Sequence, residues 1–102
     1  MIFDEQLLRK IDLNSLVTFM VIYQEQNVSR AAQRLSVTQP AVSNSLRELR
    51  YRFEDPLFIP RCRHMEPTPL ARHIAEMLEP AMQLMQLALR VLLVSEKESA
   101  NV

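Results

Sequence analysis

Polar side chains recur at four-residue steps in the middle of the chain, at Gln39, Ser43 and Arg47, with Pro40 and Asn44 beside them. Residues four apart lie on one face of an α-helix. Amide and hydroxyl groups match the base edges of the DNA major groove, where a glutamine can bond both N6 and N7 of adenine. The spacing therefore predicts a helix that reads bases at its start and reaches a phosphate farther along, although a merely solvated helix face would show the same residues.

An apolar stripe on the opposite side of this segment indicates how the polar face is positioned. Val42, Leu46 and Leu49 follow helical spacing and must face a core. Thr38 can cap the helix, and a proline in the first turn loses no needed hydrogen bond. We expect a helix over 38–53.

Two shorter segments before this helix complete a recognisable arrangement. The 3.6-residue periodicity predicts a helix over 13–25. Ser29 can cap a short helix over 30–35, in which Ala31 and Ala32 permit close helix packing. Two short helices joined by a tight link form a helix-turn-helix.

The segment after residue 53 predicts a small wing. Residues 57–59 and 65–66 can form two short strands, with residues 61–64 as the turn between them. Thr68 can cap the next helix, which we expect over 69–94. The predicted fold is mainly α, a winged helix-turn-helix with a three-helix core and a two-stranded wing, followed by a long helix. The predicted divisions are a leader (1–10), the winged helix-turn-helix domain (11–68), the linker helix (69–94) and a frayed tail (95–102).

The long helix carries more apolar residues than three short helices can cover. They form two parallel seams, which favours pairing with a second copy of the chain. A helix folded fully back onto its own core remains the alternative. The predicted dimer contacts are Ile74, Met77, Leu78, Met82, Met85 and Leu92.

Composition excludes several classes of protein. The 102 residues carry no formal net charge, but residues 28–72 contain eight arginines against four acids. Cys62 is the only cysteine, so an internal disulfide is impossible, and His64 and His73 do not suggest a metal site. No catalytic set, phosphate loop, signal peptide or membrane span is recognisable. We expect neither an enzyme nor a cofactor, and the single cysteine fits a reducing cytosolic setting.

Several motifs together resemble the amino-terminal part of LysR-type bacterial transcription regulators. The motifs are SRAAQRLSVTQPAVSN at 29–44, LREL at 46–49, DPLF at 55–58, Arg61, and PT at 67–68, and the resemblance covers about residues 11–93. It implies a winged helix-turn-helix with a linker helix that pairs antiparallel in a dimer. The resemblance also implies double-stranded DNA as partner, at an interrupted inverted repeat rich in A and T.

The resemblance also assigns roles to single residues. It places base contacts on Gln39, Pro40, Ser43 and Asn44. It places contacts to the DNA backbone on Arg30, Thr38, Arg47, Arg61, Arg63 and Thr68.

The chain departs from the family in two respects. Similar proteins carry glycine in the wing turn and near the start of the linker helix, where this chain has Arg63-His64 and Arg72-His73. They also continue into an effector-binding domain, so we expect no small-molecule effector within these residues, whether the chain is a fragment or naturally short. A second hypothesis is a helical module that pairs with or sequesters a related regulator without touching DNA.

Overall fold

The computed structural model describes the backbone of residues 2–100 and the side chains of residues 2–93. The elements are α1 (Glu5–Leu8), α2 (Leu13–Glu25), α3 (Val28–Leu35), α4 (Gln39–Phe53), β1 (Phe58–Arg61), β2 (His64–Pro67) and α5 (Pro69–Ala100). The chain divides into two compact units, residues 1–72 and 73–102. The predicted fold class, a winged helix-turn-helix followed by a long helix, is confirmed.

Side-chain caps begin the helices of the first unit. Asp12 accepts from the Asn14 amide at the start of α2, and Thr38 Oγ1 accepts from the Ala41 amide at the start of α4. Helix α3 differs from the prediction, because its cap is Asn27, whose side chain accepts from the Arg30 amide at 2.9 Å. Ser29 lies inside the first turn instead.

The helix ends are made without glycine. Gln26, Ser36 and Glu54 end α2, α3 and α4 in the left-handed conformation, with φ of 55°, 56° and 51°. Glycine is the usual residue at this position, since side chains with a Cβ are strained there. The turns therefore carry local strain that the packing of the helices must offset.

The core of the first unit lies among α2, α3, α4 and the start of β1. Helices α2, α3 and α4 pack against one another in all three pairs. The largest fully buried side chains include Phe19, Ile22, Leu49 and Phe58, and the rings of Phe19 and Phe58 lie 5.3 Å apart. This aromatic contact joins the first strand to α2 and so fixes where the wing begins.

The wing is a two-stranded antiparallel hairpin. Phe58 pairs with Pro67 at its base and Arg61 with His64 at its tip, so each strand is longer than predicted. The Met65 amide donates to the Gln26 carbonyl at 2.8 Å, which ties the second strand to the end of α2.

Two end segments also differ from the predicted boundaries. The leader contains α1, a single turn capped by Asp4. Helix α5 continues through Pro80 to Ala100 rather than ending at 94. The side chains of 94–102 lie outside the described residues, so the frayed tail predicted over 95–102 stays a prediction.

Candidate nucleic-acid interface

One face of α4 is mostly polar and exposed to solvent. Gln39, Pro40, Ser43, Asn44 and Arg47 are all exposed. The opposite stripe of Val42, Leu46 and Leu49 is buried at 3 % exposure or less. The structure therefore brings the predicted base-contact residues together on a free helix surface.

Thr38 sets the start of this face. Its hydroxyl oxygen accepts from the Ala41 amide at 3.2 Å, and its carbonyl accepts from the Val42 amide at 3.3 Å. The side chain is exposed, and its hydroxyl hydrogen can still be donated to a phosphate. Thr38 can therefore cap the helix and contact a DNA backbone with the same oxygen.

Helix α3 supports the start of α4 from the side. Ala31 and Ala32 are buried, which allows the backbone of α3 to approach its neighbours closely. The Ser29 hydroxyl donates to Oε1 of Gln39 at 3.1 Å. Ser29 was predicted only as a helix cap, and local sequence pattern does not reveal this contact, because it joins residues of two different helices.

Four of the eight arginines between residues 28 and 72 remain available. Arg30, Arg47, Arg63 and Arg72 are exposed, and within residues 2–93 their side chains form no ion pair or hydrogen bond. Three of these were predicted to contact DNA, and Arg72 was not. Their charges are free to neutralise phosphates.

Three further arginines are paired with acids on the surface. Arg34 contacts Glu25 at 3.2 Å. Arg52 contacts Glu48, which lies one turn earlier in α4, at 3.5 Å. Arg61, a predicted backbone contact, pairs with Glu66 across the hairpin at 2.8 Å. A phosphate would have to compete with Glu66 for this guanidinium.

The side chain of Arg50 donates hydrogen bonds to backbone carbonyls of its own chain. Its Nε donates to the Pro56 carbonyl at 2.7 Å, and its Nη2 donates to the Phe58 carbonyl at 3.0 Å. The guanidinium thus joins α4 to the first strand of the wing. Nothing in the sequence distinguishes Arg50 from the neighbouring surface arginines, because its acceptors are backbone carbonyls of a later segment.

The Asp55-Pro56-Leu57 turn lies beside this contact. Leu57 is buried with φ of 63°, in the left-handed region. Asp55 Oδ2 accepts from the Leu57 amide and from the Thr68 hydroxyl, each at 2.8 Å. One carboxylate therefore holds a strained turn and the start of α5 together.

Thr68 does not fit its predicted role as a contact to the DNA backbone. It is buried at 6 % exposure. Its hydroxyl donates to Asp55 and its oxygen accepts from the Ala71 amide at 3.1 Å, which makes it the cap of α5. With its hydroxyl fully used and covered, Thr68 is a structural residue.

The wing turn adopts a conformation that usually requires glycine. Cys62 and Arg63 occupy the two central positions with φ of 44° and 72°. Two successive positive φ values define the type I′ turn, which twists with the strands. The turn presents the exposed Arg63 at the tip of the wing.

The predicted dimer contacts on α5 differ in exposure. Met77, Met85 and Leu92 are exposed, whereas Leu78 and Met82 are half-buried. Ile74 is the least exposed of the six, at 9 %. Further exposed apolar residues on α5, namely Leu84, Leu87, Leu89 and Leu93, were not in the predicted set.

Among the residues that the structure describes, no group of three or more His, Cys, Asp and Glu residues lies close enough together to hold a metal ion. None of the helices described has the length and apolar character that crossing a bilayer requires.

Comparison with known proteins decides the family. The sequence profile described as "Bacterial regulatory helix-turn-helix protein, lysR family" matches residues 13–72. The chain belongs to the lysR family. Among its relatives is the HTH-type transcriptional activator NahR of Pseudomonas putida, which is 47 % identical over 83 residues. This alignment covers 81 % of the chain but 28 % of NahR, so the chain spans less than a third of that relative.

Solved structures show the same fold. The probable transcriptional regulator PA0477 from Pseudomonas aeruginosa superposes with a TM-score of 0.78 at 36 % identity, covering 82 % of this chain and 28 % of that one. The CbnR_DBD–DNA complex gives a TM-score of 0.66 at 24 % identity and covers 87 % of this chain and 99 % of that one. The predicted family and fold are confirmed, whereas the function of a DNA-binding transcription regulator and the individual base contacts stay predictions.

Proposed function

We propose that this chain reads DNA sequence by placing the start of α4 in the major groove. The observation that carries the proposal is the exposed face of Gln39, Pro40, Ser43, Asn44 and Arg47, opposite a buried apolar stripe. The CbnR_DBD–DNA complex, whose fold this chain shares, contains DNA. The chain acts as a binding module and carries no enzymatic activity of its own.

The charges of the side chains support two separate roles within the interface, a division of labour between base reading and phosphate binding. Short uncharged side chains at the start of α4 suit base edges, since they can both donate and accept. The free guanidiniums of Arg30 and Arg47 on the helices and of Arg63 on the wing suit phosphates. Arg61 joins them when it exchanges Glu66 for a phosphate. We add Arg72 to the proposed phosphate contacts, because its exposed guanidinium also has no ion pair or hydrogen bond within residues 2–93.

The second part of the proposal is a homodimer formed through α5. Exposed apolar side chains such as Met77, Met85 and Leu92 are costly in water and indicate a covered surface. A two-fold dimer reads two-fold DNA, so its target is an interrupted inverted repeat. We propose an A/T-rich site, and the bacterial cytoplasm at the nucleoid as the place of action.

The test is a comparison of Gln39→Ala and Arg47→Ala on DNA selected by the wild-type protein from a random pool. Gln39→Ala should lose about 1–3 kcal/mol on the selected site and relax the preference at one base pair. Arg47→Ala should weaken binding equally on all sequences and reduce the slope of log K against log salt by about 1 per protomer.

Matched controls exist for both changes. Gln33 is an exposed glutamine on α3, and Arg52 is an exposed arginine on α4 that is already paired with Glu48. Gln33→Ala and Arg52→Ala should leave sequence preference unchanged. If Gln39→Ala and Arg47→Ala both weaken binding uniformly, the division of labour is wrong. If the wild-type protein binds no duplex even at low salt, a partner-binding helical module replaces the proposal.

A further inference from the structure

The outward face of the wing carries a histidine beside its arginines. Arg61 is the direct partner of His64 across the hairpin, and Glu66 follows His64 by two residues on the second strand. Side chains directly opposite each other on paired strands lie on one face, and so do side chains two apart on one strand. Phe58 lies on the other face and is buried. His64 therefore shares the outward face with Arg61, a proposed contact to the DNA backbone.

The imidazole of His64 is free to bind. The side chain is exposed, and within residues 2–93 it forms no hydrogen bond or ion pair. We infer that His64 is a further phosphate contact of the wing, which binds the DNA backbone in its protonated form. The inference rests on the proposed function, since it requires the wing to lie against DNA.

The charges around His64 leave a place for an anion. The charged or titratable side chains that accompany it on the hairpin are Arg61, Cys62, Arg63 and Glu66. Glu66 is paired with Arg61 at 2.8 Å. The end of α2, which the Met65 amide contacts, carries Glu25, and this carboxylate is paired with Arg34. Both carboxylates are therefore already paired, and a DNA phosphate would supply the anion that an imidazolium needs.

Protonation gives this contact a direction with pH. A histidine changes its charge between about pH 5 and pH 8, and a phosphate favours the charged form. The free protein carries the proton on His64 less often than the complex does, so binding takes up a proton. Affinity for DNA should therefore rise as the pH falls through this range.

The experiment measures the affinity of the wild-type protein for one duplex at about pH 6 and about pH 8, within the range where histidine titrates. A contact between exposed charges predicts about two- to fivefold tighter binding per protomer at the lower pH. The slope of log K against log salt should be steeper there by up to about 0.9 per protomer, because one more phosphate is neutralised. Calorimetry in two buffers of different ionisation enthalpy should show proton uptake on binding.

Three variants separate His64 from other sources of pH dependence. His64→Gln removes the charge and should remove the pH dependence. His64→Arg carries a charge at both pH values and should bind equally at both. His73→Gln is the matched control, because His73 is the second histidine of the chain and is also exposed. It should keep the wild-type pH dependence, and equal thermal melting of all variants shows that folded proteins are compared.

The pH effect should be equal on the selected site and on a random duplex, because phosphates carry no sequence information. An effect that survives in His64→Gln, or one confined to the selected site, overturns the inference. Wild-type affinity that does not change with pH also overturns it and leaves the proposed function standing. A wild-type protein that binds no duplex at either pH overturns the proposed function as well.

Discussion

Replacing Arg50 tests whether the wing is held by α4. Arg50→Met keeps most of the side-chain length and removes both hydrogen bonds to the Pro56 and Phe58 carbonyls. Hydrogen bonds from a charged donor contribute about 1.5–3 kcal/mol each, and less where water competes. The bond to Phe58 is partly buried and the bond to Pro56 is exposed. We therefore expect a loss of about 2–3 kcal/mol in the free energy of unfolding.

The assay is urea unfolding followed by circular dichroism at one fixed protein concentration, because dimerisation would make stability depend on concentration. Arg52→Met is the matched control, since Arg52 lies on the same helix and forms only an exposed ion pair with Glu48. That pair contributes about 0.3–0.5 kcal/mol. Arg50→Lys keeps the charge but loses the forked geometry, so its stability should lie between those of Arg50→Met and the wild-type protein.

The refuting results are specific. If Arg50→Met and Arg52→Met lose the same stability, Arg50 does not hold the wing. If Arg50→Lys is as stable as the wild-type protein, the charge alone matters and the two-carbonyl geometry is irrelevant. The expected ranking is the wild-type protein, Arg52→Met, Arg50→Lys and then Arg50→Met, from the most to the least stable.

Two further predictions concern dimerisation and backbone strain. Met85→Glu should shift the protein towards monomer in sedimentation velocity, because it places a charge in the proposed apolar dimer surface. Gln83→Glu, on the opposite side of α5, should leave association unchanged. Equal association of the two variants would contradict the proposed interface. Ser36→Gly should raise the free energy of unfolding by up to about 1 kcal/mol, because Ser36 has φ of 56° and glycine bears no Cβ penalty there. Ser45→Gly, in the helical interior of α4, should instead lose about 0.5 kcal/mol, and a loss in Ser36→Gly would refute the strain argument.

Local pattern was sufficient for α2 and α4, two of the helices of the first unit. The predicted spans of α2 and α4 agree with the structure because periodic apolar residues and caps such as Thr38 act within a few residues of each other. The cap of α3 was misassigned because Asn27 and Ser29 are both good capping residues. The structure uses Asn27, in an extended conformation, and leaves the Ser29 hydroxyl for Gln39.

Most residues of the candidate site were predicted from the sequence, but their contacts with other segments of the chain were not. The exposure of Gln39, Ser43 and Arg47 follows from helical geometry once the buried stripe is known. The roles of Arg50 and Thr68 depend instead on contacts between segments distant in sequence. A list of arginines and threonines cannot show which of them face carbonyls or carboxylates of their own chain.

The distribution of ion pairs explains how a chain without net charge can present a basic surface. Glu48 and Glu66, two of the four acids of residues 28–72, each lie within 3.5 Å of an arginine, and Glu25, just before this range, pairs with Arg34. Asp55 is committed to the Leu57 amide and the Thr68 hydroxyl. The exposed arginines of residues 28–72 that have no acid partner, by contrast, lie on α3, α4, the tip of the wing and the first turn of α5. Charges more than about 10 Å apart are largely screened from each other at moderate salt. Attraction to the phosphates of DNA should therefore depend on the nearby unpaired guanidiniums and not on the net charge of the chain.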